Sequence, residues 1–428
     1  MSWAFLAVSL VGFWFTFNAL RPTRDWRFLG PSFFAGWFTS EMPVHHLAWQ
    51  AVATGVFVGL GALDDWPGWV GLAVTAASWA GLTSLLVISR RARVVVEDAL
   101  REGLGPDFED RIDPRIRARL GRRPSRAQLF LPLLLRDGRV RRIRQVPYAP
   151  GAGRRHRLDV YVAKVPAGER RPVLLQIHGG GWVIGDKGQQ ALPLMLDLAA
   201  SGWVCVAANY RRSPRATWPD HLVDCKLALR WVREHVAEYG GDPDFVVVTG
   251  GSAGGHLSSM LALTPGDPAY QPGFEDADTT VAACVPFYGV YDFTDRYGIR
   301  GRRDPLARFL ERLVVKRPFA ASPEVYDRAS PMSHVGPHAP PFFVIHGTLD
   351  NLAPVEEARK FAEMLREAST QPVLFAEIPG AHHAFEVFHS LRAGHVLHGV
   401  DRFLAWCYTR HLEQVRREVD EPPEVATG

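Results

Sequence analysis

The sequence predicts an α/β protein: a mostly parallel sheet with helices on both faces, preceded by three apolar helices long enough to cross a membrane. Two observations carry this. From about residue 145 onward, short runs rich in β-branched and apolar residues alternate with longer stretches of helical periodicity. Continuous apolar strands separated by helices indicate a parallel sheet covered on both sides. Before residue 90, residues 1–20, 43–63 and 66–88 contain no Asp, Glu, Lys or Arg, and a helix of roughly 20 apolar residues crosses the hydrocarbon layer.

The chain has 428 residues, enough for one large α/β domain and an additional segment. It is 47% hydrophobic and 22% charged, which excludes a disordered or fibrous chain. A net charge of +4 is small for this length and argues against nucleic acid as a partner. Cys205, Cys225, Cys284 and Cys407 are widely separated and show no CxxC spacing, so neither a zinc site nor a disulfide framework is expected.

The first apolar segment lacks the positive charge that precedes the apolar core of a signal peptide. It therefore reads as a span, as do the second and third. Arg21, Arg24 and Arg27 follow the first span and Arg90, Arg91 and Arg93 the third, while the turn between the second and third carries Asp64 and Asp65. Positive residues favour the cytoplasmic side, which places the N-terminus outside and the α/β domain in the cytoplasm. His45 and His46 fall at the start of the second span and are assigned no chemistry. Residues 1–89 are thus expected to form a transmembrane region, 90–144 a linker and part of a cap, 145–412 the α/β domain and 413–428 a tail. Within the linker, Val94 to Leu104 reads as a helix, and the basic stretch Arg136 to Arg144 fits either anionic lipid headgroups or an ordinary solvated segment.

Seven strands are predicted, at 158–163, 172–177, 203–208, 245–249, 282–287, 342–346 and 373–378, with helices over 220–239, 254–263, 354–368 and 394–413. In parallel sheets the chemistry gathers past the carboxyl ends of the strands. Strand 245–249 runs into Gly250-Gly251-Ser252-Ala253-Gly254-Gly255, a GxSxG pattern between a strand and a helix. Such a turn strains the serine into an exposed position, and its small neighbours let strand and helix approach closely. Strand 172–177 ends at His178-Gly179-Gly180-Gly181, whose glycines free backbone N–H groups to face a developing oxyanion. Strand 342–346 leads to Asp350 and strand 373–378 to His382 and His383. The order Ser, acid, His is that of an α/β-hydrolase. Asp292 and Asp295 are competing acids, but chain order and strand-end position favour Asp350. Spacing does not choose between His382 and His383. His334, His338, His395 and His398 do not follow a strand end and are read as surface or core residues.

HGGGW at 178–182, YRRSP at 210–214, GGDP at 240–243, GGSAGG at 250–255, HGTLD at 346–350 and HHAF at 382–385 together resemble the bacterial hormone-sensitive-lipase-like esterases, over about residues 145–410. The resemblance extends to membrane-bound actinobacterial lipases that carry spans ahead of this domain. It implies an α/β-hydrolase fold and carboxylic ester hydrolysis. It assigns Ser252 as nucleophile, Asp350 as acid and His383 as base, with an oxyanion hole of Gly180, Gly181 and Ala253. It implies no metal or organic cofactor. It also implies a cap over the pocket, which residues 101–135 and 291–325 are placed to supply. The chain departs from the family at Gly251, where an Asp often stands. Lipid or other hydrophobic acyl esters are the expected substrates, given the spans. Small acetylated metabolites, or a ligand-binding protein without activity, are the alternatives, and the presence of all three triad candidates speaks against the last.

Overall fold

The computed structural model describes residues 1–420 apart from 24, 26, 121–124, 150, 152, 166–169, 302 and 303. Arg24 of the first arginine cluster, residues 121–124 and 302–303 of the expected cap, and residues 421–428 of the expected tail lie outside the described residues.

Four helices open the chain: α1 (Ser2–Leu20), α2 (Leu29–Glu41), α3 (Pro43–Gly59) and α4 (Trp66–Leu104). Among the described residues, α1 and α4 are long and apolar enough to cross a membrane. The expected second span is shorter, because α3 has 17 residues and stops at Gly59. The chain turns there through Gly61, which has a φ of 80°. Helix α2 was not expected, and it inserts between the first two apolar segments. Helix α4 does not end with its apolar stretch. It runs 39 residues without a break, so the expected boundary at residue 90 lies inside a helix. Leu82, Leu85, Ser89, Ala92, Val96 and Leu100 are buried along it at spacings of three and four, one stripe on one helix face. After α4 come the short helices α5 (Pro114–Arg117) and α6 (Arg126–Phe130).

The catalytic domain then follows in the order β1 (Val140–Pro147), β2 (Arg157–Ala163), β3 (Arg171–Ile177), α7 (Leu192–Ala200), β4 (Val204–Ala208), α8 (Asp220–His235), β5 (Gly241–Gly251), α9 (Ala253–Leu263), β6 (Ala283–Phe287), α10 (Pro305–Phe309), α11 (Pro323–Arg328), β7 (Phe342–Gly347), α12 (Val355–Ala368), β8 (Val373–Ile378) and α13 (Leu391–Asp420). The eight strands form one sheet ordered β1-β2-β4-β3-β5-β6-β7-β8. β2 runs antiparallel to β1 and β4, and the remaining neighbours are parallel. Strand side chains alternate between two cores. On one face Val173, Leu175 and Ile177 meet α8, α9 and α12 through Leu229, Met260 and Phe361. On the other, Leu174 meets α7, α13 and α4 through Met195, Phe403 and Val96.

The basic stretch 136–144 lies partly in an additional strand. β1 is an edge strand, and its Arg142 is neutralised by Asp159 of β2, with Nε 2.8 Å from Oδ2. Charged residues on an edge also discourage pairing with another chain. The expected tail begins as helix: α13 continues to Asp420. Of the expected cap, residues 108–117 pack instead against α13, where Arg402 pairs with Glu109 and the Asp113 amide donates to Thr409 Oγ1.

Candidate active site

β5 passes into α9 through a single residue, Ser252, held at φ 58° and ψ −122°. A positive φ is uncommon for a residue with a side chain and marks stored strain. The elbow is pinned on both sides, since the Ser252 N–H donates to Phe287 O at 3.0 Å and the His256 N–H to Ser252 O at 3.0 Å. The flanking glycines have a steric reason. A Cβ on Gly250 would overlap the carbonyl of Gly254, and one on Gly254 would overlap the carbonyl of Ile177. Gly254→Ala should therefore displace α9. The expected result is a fall in kcat/KM of about 100-fold on p-nitrophenyl butyrate and a loss of about 1–3 kcal/mol in a denaturant titration.

The glycine loop after β3 lies against this elbow. A Cβ on Gly179 would stand 3.1 Å from Ser252 Cβ. Gly180 and Gly181 have φ of 104° and 58°, which glycine adopts freely. Their N–H groups donate to no acceptor among the described residues, whereas the Gly179 N–H donates to Gln190 Oε1 at 2.6 Å. The N–H of Ala253 opens α9, at the positive end of the helix dipole. His178 anchors the loop by stacking on Tyr210 with ring centroids 4.3 Å apart. Burial lowers its pKa to about 4, so it is neutral at physiological pH. Phe309 of α10 lies beside Gly181.

Past β7, Asp350 is buried and its Oδ1 accepts the N–H groups of Leu352 and Ala353, both at 2.9 Å. Its Oδ2 faces His383 Nδ1 at 2.7 Å and His346 Nε2 at 3.3 Å. Burial alone would raise its pKa, but the charge of His383 and the hydrogen bonds from His346 and His383 hold it well below the usual carboxylate range. The two adjacent histidines point different ways. His382 Nε2 bonds to Ala19 O at 2.9 Å, at the end of α1, and burial lowers its pKa to about 4. Asp292 is instead occupied by Thr294 and Arg296, and Asp295 receives the Arg300 N–H. His334 and His338 bond to backbone carbonyls, and His395 and His398 lie on α13.

Several contacts at this site had no reading in the sequence. Phe33 of α2 meets His383 edge-on at 6.3 Å between centroids. Trp37 Nε1 donates to Ala384 O at 2.8 Å. Asn351 Nδ2 donates to Thr23 O at 3.0 Å, and Glu41 pairs with Arg392 in a fully buried contact. Tyr288, just past β6, packs its ring 4.6 Å from that of His383. Its position after a strand end was a usable signal, whereas α2, at 13 residues, is too short to have announced itself as a span. A surface cleft lined by Asp244, Phe245, Ala282 and Pro341 opens at the opposite, amino-terminal edge of the strands and holds none of these residues.

The order of the strands and the place of the serine turn make this an α/β-hydrolase. The comparisons with known proteins narrow the class. A family profile described as BD-FAE matches residues 158–365. Probable carboxylic ester hydrolase LipM of Mycobacterium tuberculosis is 48% identical over 349 residues, covering 79% of this chain and 78% of LipM. Esterase LipQ of the same organism is 43% identical over 328 residues, covering 76% and 77%. The chain belongs to the bacterial hormone-sensitive-lipase-like esterases, and it is a carboxylic ester hydrolase. The match to LipM is longer than residues 145–428, so the likeness reaches back before the catalytic domain. Esterase B from Lactobacillus rhamnosis superposes with a TM-score of 0.54 at 21% identity, over 71% of this chain and 93% of its own, a likeness of fold.

Proposed function

We propose that this chain is a membrane-anchored serine esterase that cleaves hydrophobic acyl esters through an acyl-enzyme. In this reading His383 takes the proton of Ser252 and Asp350 holds the imidazole and balances its charge. The N–H groups of Gly180, Gly181 and Ala253 receive the oxyanion. Ester carbonyl carbon bonds to Ser252 Oγ as the alcohol leaves with the proton from His383, and water then releases the acid by the reverse proton path.

The observation that supports the lipid reading is the seat of the catalytic loops on the N-terminal apolar segment: His382 on the last turn of α1, Asn351 on Thr23 just past that helix and His383 edge-on to Phe33 of α2. α1 exposes Trp3, Leu10, Trp14 and Phe17 along its length, a surface suited to lipid. Phe130, Leu131, Leu133 and Leu134 are also exposed, beside the start of α3, where His45 Nε2 bonds to Phe130 O at 3.0 Å. Arg21, Arg27, Arg90, Arg91 and Arg93 favour a cytoplasmic catalytic domain in the inner membrane.

The test is hydrolysis of p-nitrophenyl esters from acetate upward by the detergent-purified protein. The expected result is a kcat/KM that rises with chain length beyond butyrate. A maximum at acetate, falling with every added carbon, would refute a hydrophobic acyl pocket and favour small acetylated metabolites.

A further inference from the structure

Gly251 precedes the nucleophile, and a Cβ there would stand 2.5 Å from Tyr288 Oη and 2.8 Å from two of its ring carbons. Tyr288 thus fills the room that a side chain at position 251 would need. It is 1% exposed, and its backbone is locked by donation from its N–H to Ile345 O at 2.7 Å. Its ring lies 4.6 Å from His383 at an interplanar angle of 54°. Its hydroxyl donates to Glu386 Oε2. Glu386 is 2% exposed and stands three residues beyond His383 on the same loop. A second carboxylate is therefore buried on the far side of the histidine's neighbour ring, where the triad makes no use of it.

We propose that Tyr288 and Glu386 form a positioning pair for His383, with the tyrosine ring fixing the imidazole plane and the glutamate supplying a second negative charge to the imidazolium. The inference rests on the reading of His383 as the base. It accounts for the pairing of a bare glycine at 251 with a bulky residue at 288: the support that a side chain before the serine would give comes from the next strand end instead.

The charged and titratable groups around the pair are few. Glu386 faces Tyr288 from the β6 loop, His383 from its own loop and Glu41 from α2. Glu41 is itself paired with Arg392 of α13, and Asp350 acts on Tyr288 from the β7 loop. Burial raises the Glu386 pKa to about 7, against the lowering effects of the Tyr288 hydrogen bond and the His383 charge. Its ionisation then falls near neutral pH, and the negative charge near His383 is present above that pH and absent below it.

The test is the pH–rate profile of Tyr288→Phe and Glu386→Gln, with Ser252→Ala alongside. Phe keeps the ring and removes the hydroxyl. Both variants should lower kcat about tenfold with KM within about twofold, the scale of one lost hydrogen bond. In Glu386→Gln an ionisation step near neutrality should vanish from the kcat profile. In Tyr288→Phe it should move to higher pH, because the bond that favours the carboxylate is gone. A purely structural role would move neither. Wild-type kcat and an unmoved profile in both variants overturn the proposal. If thermal melts show that Tyr288→Phe is unfolded, Glu386→Gln decides the matter by itself. Activity retained in Ser252→Ala would instead remove the underlying reading of the site.

Discussion

Ser252→Ala should abolish ester hydrolysis, with a fall in kcat of about 10⁴-fold or more, measured on p-nitrophenyl butyrate with a fluorescent thermal melt for folding. This is about 5–6 kcal/mol of transition-state stabilisation. The loss is confined to chemistry. The alanine keeps a Cβ at a φ of 58°, so the strain in the elbow stays the same. The N–H groups of Gly180 and Gly181, which donate to no acceptor among the described residues, remain in place. The melting temperature should therefore stay at the wild-type value. Turnover within tenfold of wild type would show that Ser252 is not the nucleophile.

Asp350→Asn should be nearly as severe, of order 10⁴-fold in kcat. The local hydrogen bonds explain why so small a change has so large an effect. Oδ1 of Asp350 already accepts two backbone N–H groups, from Leu352 and Ala353. An asparagine must keep its oxygen there, which turns its NH₂ toward His383 Nδ1. The imidazole then carries its proton on Nε2 and cannot accept one from Ser252. His346 Nε2 keeps its bond to Ala353 O at 2.9 Å but loses the carboxylate charge 3.3 Å away. Asp350→Asn should thus show some loss of stability, unlike Ser252→Ala. A variant retaining more than a tenth of wild-type kcat would point to another acid.

Seven of the eight strands were legible because each is a short run rich in apolar and β-branched residues, the pattern of a strand in a covered sheet. β1 was not, since Val140–Pro147 alternates arginine with apolar residues and becomes a strand only by pairing along β2. The helix expected over Val94 to Leu104 ends where α4 ends, but its continuity with the third span was missed for a related reason. Arg90, Arg91 and Arg93 end the apolar count but not the helix, whose buried face passes beneath them through Ser89, Ala92 and Val96. The loops past β3, β5, β7 and β8, which carry the candidate residues, could be located because strand ends set them. Which of two adjacent histidines faces the acid was not, because that depends on Ala19, more than 360 residues away in the chain. Glu386 was invisible for the same reason: it belongs to no motif, and its meaning comes from a ring and a carboxylate brought together across 98 positions.

Helix α4, at about 58 Å for its 39 residues, contributes Leu82 and Leu85 to the packing against α1 and Val96 and Leu100 to the sheet's core. No swivel separates those two sets of contacts. In a bilayer the tilt and height of the catalytic face would be inherited directly from the apolar helices. The enzyme would then meet its substrate as a body gliding in two dimensions with its mouth at a constant level, and its rate would follow the surface density of the ester rather than the bulk concentration.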